Sequence, residues 1–249
     1  MVDVDVRYFK WKGKWSVKFL PEKPNGFAVY LLSGQDFTVE DSSSIWESHP
    51  EKKLFLERLL NSGYTVLTSE LNPHHWGNEA ACSFSEQLIE HLIKTEIINK
   101  RIHLFAEGWG AIAAIKLLSR KRVDIRSMLF FNPCIYLESY YDLELQNKLY
   151  YKKLKHELSA AYGMKPERIN RQWVRQISDP PLKENWSPLL LIHRVDEKRY
   201  PLPSHSRKLE RELIKTMQPV QLKLLSSTRR FDSISEPTTL FYQKHEQIL

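Results

Sequence analysis

Only two cysteines, Cys82 and Cys134, occur in the chain of 249 residues. They make no disulfide framework and no metal motif, and nothing in their use points to an oxidising compartment. Long hydrophobic runs are also missing. A stretch such as residues 189–192 is far too short to span a bilayer. The first residues, Met1-Val2-Asp3-Val4-Asp5, lack the charged-then-apolar pattern of a signal peptide. The expectation is a cytoplasmic protein without a membrane partner. Blocks of like charge are absent too, as are zinc and helix-turn-helix spacings. The formal net charge of +7 therefore reads mainly as solubility, with a bias towards anionic partners; nucleic acid is disfavoured. No repeat, low-complexity tract or linker breaks the chain, so residues 1–249 are expected to form a single domain.

What is present is the composition of a folded protein, 42% hydrophobic and 12% aromatic. Residues 4–12 and 14–20 alternate and meet at Gly13, which predicts a hairpin. Residues 27–32 form a short apolar run, as in a strand buried on both faces. Residues 50–61 predict a helix capped by Gly63. A strand is expected at 64–68 and a polar loop at 69–82. A helix at 83–95 would open with a capping box of Ser83 and Glu86. Strands at 101–106 and 127–131 flank a helix of small residues at 111–119. Residues 136–186 lose all strand signal and read as charged, tyrosine-rich helices. A strand at 188–193, a helix at 203–217, a strand at 220–225 and a helix at 238–248 close the chain. Strands alternating with helices predict an α/β protein with a mostly parallel sheet covered on both faces.

The sharpest local feature is Ala106-Glu107-Gly108-Trp109-Gly110. A buried strand enters a tight turn and then a helix of small residues. This resembles the nucleophile elbow of the α/β-hydrolase superfamily, small-x-nucleophile-x-small, with glycine at the centre. Further segments resemble the same family in the same order. They are Leu32-Ser33-Gly34 at the oxyanion-hole loop and Gly63-Tyr64-Thr65-Val66-Leu67 at a Gly-Tyr-x-Val strand. Ile192-His193-Arg194-Val195-Asp196-Glu197 resembles the strand and loop of the catalytic acid. Residues 226–231, after the last strand, resemble the site of the catalytic histidine. The resemblance covers the whole chain. It implies an α/β-hydrolase-like sheet with an N-terminal antiparallel hairpin and a helical lid insertion at 136–186.

The resemblance also implies where a triad would lie. The nucleophile position holds Gly108, which has nothing to attack with. The position of the base holds Arg230, and a guanidinium cannot accept the proton. The acid position is held by Glu197, with Asp196 as the alternative. Two separate losses point to a degenerate, non-catalytic member, a pseudoenzyme, for which no catalytic residue is expected. Glycine would also relieve strain at the elbow.

Residues expected to touch a ligand are Ser33, Gly34, Glu107, Gly108, Trp109, Arg194 and Arg230. The partner is an unidentified small molecule, with an anionic one favoured by the basic loops, or a protein. Arg194, Lys198, Arg199, Arg229 and Arg230 sit in those loops, and so do Glu107, Asp196 and Glu197. An internal ion-pair network, with Arg230 on Glu197, is the preferred reading of these charges. His74 and His75 are adjacent and form a poor chelate, so no metal and no cofactor is expected. His103 and His193 read as structural, and His205 and His245 as residues of surface helices. Cys134 reads as a small buried residue. The aromatic residues of 136–186, among them Tyr140, Tyr150 and Trp173, read chiefly as anchors of the lid helices. Three functions stand: a non-catalytic hydrolase-like protein that binds a ligand or partner, first; an esterase, thioesterase or acyltransferase using non-standard residues, second; and a structural or assembly protein, which a filled cleft and an apolar surface patch would mark.

Overall fold

The computed structural model describes residues 5–34, 39–71 and 74–246. Short apolar segments supply the centre of one sheet: β3 (Ala28–Leu32), β4 (Thr65–Ser69), β5 (Ile102–Glu107), β6 (Ile125–Phe131) and β7 (Leu189–Arg194). They are buried on both faces, which is why β3 and most of β7 are continuously apolar and why polar residues inside the others, such as Thr68, His103 and Ser127, are hydrogen-bonded. β1 (Asp5–Trp11) and β2 (Lys14–Leu20) form the N-terminal hairpin at one edge. β8 (Val220–Leu225), half exposed, forms the other. The 8-stranded sheet runs in the order β1-β2-β4-β3-β5-β6-β7-β8. All pairings from β4 to β8 are parallel, and the hairpin joins β4 antiparallel.

Strand residues alternate between two cores. On one face, Tyr30, Leu104, Ala106, Phe130 and Leu191 meet α3 (Glu79–Thr95), α4 (Gly110–Arg120) and α8 (Ser206–Lys215). On the other, Val29, Leu31, Phe105, Phe131 and Ile192 meet α1 (Ile45–Ser48), α2 (Pro50–Asn61) and α9 (Ser235–Lys244). Fully burying each Val, Leu, Ile or Phe among them stabilises the fold by about 1.5–3 kcal/mol. A third cluster holds α5 (Leu137–Glu144), α6 (Lys148–Tyr162) and α7 (Arg171–Ser178) against the strand ends.

The chain order positions the site. After β3 it moves outward to β4, then returns to the far side of β3 as β5. The turns that follow β3 and β5 therefore meet at a reversal of strand order, where open α/β sheets leave a crevice. Those turns carry Ser33-Gly34 and Gly108.

Most expected elements form, with shifts that have local causes. The predicted capping box at Ser83 does not form. Helix α3 starts a turn earlier, because the Asn78 side chain accepts the Ala81 amide at 2.9 Å. Ser83 instead donates to Glu79 at 3.2 Å, while Glu86 is held by Arg120 at 3.0 Å. The last helix begins at Ser235, after a short turn at Phe231–Ile234, rather than at 238. Its expected final residues reach into 247–249, outside the described residues. The short helix α1, not anticipated, is capped by Ser44. His205 is not on a surface helix face. It precedes α8, fully buried, and its Nδ1 accepts the amides of Ile135 and Tyr136 at 3.1 and 3.3 Å.

Candidate functional site

The elbow after β5 keeps its backbone form without a side chain at its tip. Gly108 has φ +55°, a left-handed conformation that L side chains rarely adopt. Its amide donates to the Phe131 carbonyl at 3.3 Å, and its carbonyl accepts the Cys134 amide at 2.9 Å. Two segments of the neighbouring β6 region thus pin the turn. Space is not what requires glycine here. A Cβ on Gly108 would meet the Tyr200 ring at 3.6 Å and the Gly34 backbone at 3.8 Å, both ordinary contacts. Gly34 is different. A Cβ there would fall 2.3 Å from the Trp109 nitrogen and 2.7 Å from the Glu107 carbonyl oxygen. The turns after β3 and β5 press directly on each other, and no side chain fits between them. Ser33 beside it has a buried hydroxyl with no hydrogen-bond partner among the described residues.

Aromatic rings close over the elbow. Tyr200, 3% exposed, packs edge-on to Tyr140 at 5.2 Å. Trp109 lies 4.6 Å from Trp76, which stacks on Tyr140 at 5.8 Å. The Arg199 guanidinium stands over Trp109, Tyr140 and Tyr200 at 5.4, 5.6 and 5.5 Å. Burial pushes the Tyr200 phenol well above its ordinary range, and its hydroxyl has no partner among the described residues.

The residues expected at the acid and base positions have other partners. Glu197 accepts the backbone amide of Arg199 at 2.7 Å and so folds its own loop. Asp196 pairs with Arg194 at 3.3 Å, which holds its carboxyl below the usual range. Arg194 also donates to the carbonyls of Ser227 and Arg229, tying the end of β7 to the loop after β8. The expected Arg230–Glu197 pair does not form. Arg230 is bound to Glu51 at 3.3 Å and Asp232 at 3.2 Å, because the start of α2 packs beneath that loop. Glu51 also accepts the Phe231 amide at 2.7 Å. The next residue, Lys52, reaches Glu107 at 2.6 Å and lies over the rings of Trp46 and Phe231.

The histidines are built into the fold. His103 shares a hydrogen bond of 2.8 Å with Ser127 inside the sheet. His193 does so with Ser206 at 2.8 Å, both fully buried. Desolvation lowers His193 to about 4 and His205 to about 3. His75 accepts the Gly77 amide at 3.0 Å, and its burial lowers it to about 4. His74 points to Glu157 instead, at 3.4 Å. No group of three or more His, Cys, Asp or Glu able to hold a metal occurs among the described residues. No helix among them is long and apolar enough to cross a membrane. Cys134 is fully buried, and desolvation raises its thiol far above the usual range.

Beside this cluster opens a pocket of about 710 Å³, bounded by α5, α6 and residues 198–199. Reading the sequence missed three participants: Tyr200 as a plug, Lys52 as the partner of Glu107, and Arg199 as a wall of this pocket. Lys52 lies 55 positions from Glu107, and no local pattern joins them. Arg199 and Tyr200 lie three and four residues beyond Asp196, and the sequence placed Arg199 in that loop without saying what it would face.

No family model matches the chain, and no curated protein does. Solved structures do. Est1E from Butyrivibrio proteoclasticus superimposes with a TM-score of 0.65 at 13% identity, over 96% of this chain and 98% of that one. The Francisella virulence factor BioJ gives 0.68 at 14%, over 97% and 85%. An acylaminoacyl peptidase of Pyrococcus horikoshii gives 0.70 at 18%, over 99% of this chain but 42% of the peptidase. At such identities the likeness is one of fold.

Proposed function

From the α/β-hydrolase fold that this chain has, we propose that it is a non-catalytic binding protein, which uses the elbow as a scaffold and hydrolyses no ester or thioester. The observation that carries this reading is the elbow itself. Gly108 offers no nucleophile, and the Tyr200 ring stands 3.6 Å from where its side chain would begin. Acyl transfer needs an attacking group, a base within reach of it and an open path for the substrate. At the base position Arg230 is engaged by Glu51 and Asp232.

A hydrolase with non-standard residues is the competing reading. Its best material is the Ser206–His193 pair at 2.8 Å, which brings a nucleophile type and a base type together near the end of β7. Both residues are fully buried, and a substrate carbonyl has no route to them. One of the similar structures is an acylaminoacyl peptidase, which makes the test worth running on acylated peptides as well as on esters. A panel of p-nitrophenyl esters, acyl thioesters and acylated peptides is expected to show no turnover above buffer. Turnover that Ser206→Ala or Cys134→Ala abolishes would establish the enzyme reading instead.

A further inference from the structure

Most basic residues near the strand ends are engaged by the protein itself. Arg194 holds two carbonyls and Asp196, and Arg230 holds Glu51 and Asp232. Arg199 is different. Its Nε donates to the Tyr140 hydroxyl at 3.3 Å, and no carboxylate pairs with it among the described residues. Its other near neighbours are the faces of Trp109, Tyr140 and Tyr200. Those faces attract and orient a guanidinium but offer no acceptor in its plane, so most of the N–H fork stays available.

Arg199 forms part of the wall of the 710 Å³ pocket, with Lys198, Tyr140, Leu143, Tyr150 and Leu154. That volume suits a small organic molecule. The remaining charges decide which kind. Glu157 is already answered by His74 at 3.4 Å and Lys153 at 3.9 Å. What is left in the wall is Arg199 and Lys198 against Glu144, two positive charges against one negative. The surplus matches one negative charge, and Glu144 opposes a second.

We propose that this pocket binds an organic monocarboxylate, with the carboxylate forked by the Arg199 guanidinium and the apolar body against Leu143, Leu154 and Tyr150. The proposal rests on reading the protein as a binder, and names its ligand class. A planar fork that is held by three rings meets a planar carboxylate in two parallel hydrogen bonds. A phosphomonoester would place more charge beside Glu144 than the wall can balance.

The test titrates the whole chain with phenylacetate, octanoate, phenyl phosphate and methyl phenylacetate. Binding is read by calorimetry and by tryptophan fluorescence, since Trp109 lies against Arg199. At least one acid should saturate the protein below about 1 mM. Methyl phenylacetate, neutral and of similar shape, should bind about tenfold or more weakly than phenylacetate. Arg199→Gln should lose about tenfold or more of the affinity for the acid, with Arg199→Lys between, because charge remains while the fork is lost. No saturable binding of either acid up to about 10 mM overturns the proposal. So does equal binding by Arg199→Gln with an unchanged near-ultraviolet spectrum, or tighter binding of phenyl phosphate than of the acids. If Arg199→Gln does not fold, the comparison of acid with ester on the unaltered chain decides. Acid released from methyl phenylacetate is assayed in the same solutions. Its appearance defeats the non-catalytic reading and leaves the carboxylate site standing, whereas loss of acid binding does the reverse.

Discussion

The ring of Tyr200 lies 3.6 Å from the position that a Cβ on Gly108 would take. The elbow is thus sharp, positively twisted at φ +55° and roofed by an aromatic side chain from the loop after β7. A ring that belongs to the loop of the expected acid occupies the approach to the expected nucleophile. The glycine at the tip and the ring beside it are one arrangement.

Restoring a hydroxyl at the elbow is expected not to restore catalysis. Gly108→Ser has room for its Cβ but must adopt a left-handed backbone, which costs about 1–2 kcal/mol. Urea denaturation should show a loss of that size, and the ester panel should stay blank because Arg230 still stands at the base position. Measurable hydrolysis by the single variant would show that a base is already in place.

Tyr200→Phe should stabilise the fold by about 1 kcal/mol or leave it unchanged. The Tyr200 hydroxyl is buried without a partner among the described residues, so removing it ends a desolvation penalty and leaves the packing of the ring intact. Thermal unfolding of the two proteins compares them directly. A clear loss of stability would mean that the hydroxyl has an acceptor.

Lys52 and Glu107 should couple by about 1–2 kcal/mol in a double-mutant cycle of Lys52→Met and Glu107→Gln. Their side chains are only 13% and 25% exposed at 2.6 Å, so solvent screens the pair less than it would at the surface. Lys52→Met alone also tests the ring contacts with Trp46 and Phe231. Additive effects in the cycle would show that the Lys52–Glu107 pair itself contributes nothing to stability.

Stability should fall steeply as pH drops from 7 to 5. His75, His193 and His205 are lowered by burial to about 4, about 4 and about 3. The unfolded chain, with ordinary histidines near 6.5, binds more protons than the folded one across that window, so acid favours unfolding. Each residue contributes on the order of 2 kcal/mol over these two pH units. Melting temperatures at the two pH values measure the effect. His205→Asn, which keeps an acceptor for the amides of Ile135 and Tyr136, should reduce the acid sensitivity. An unchanged slope in that variant would assign the effect elsewhere.

The strands were legible because a strand buried on both faces must be continuously apolar, as residues 28–32 and 189–192 are. The elbow was legible because Gly110 and the alanines of α4 stand where backbones crowd, and because Gly108 takes the left-handed turn between them; a Cβ on Gly110 would fall 2.6 Å from the Leu32 carbonyl oxygen. Charge pairing was not legible. Arg230 was expected on Glu197 and is found on Glu51, because long charged side chains choose partners by proximity in space. His205 was likewise misplaced, since a helix pattern that reads as amphipathic does not say that the residue before it is drawn under the neighbouring turn.

By itself, then, the amino-acid order determined the sheet, the hairpin, the elbow and the absence of a nucleophile at its tip, because periodicity and glycine placement are local properties. Only the tertiary structure decided what stands above Gly108. Tyr200, Trp76, Trp109, Tyr140 and Arg199 come from four separate stretches of chain, and nothing in their spacing brings them together. The packing of the sheet ends against α5 and α6 does, and it leaves Arg199 facing a pocket rather than an acid.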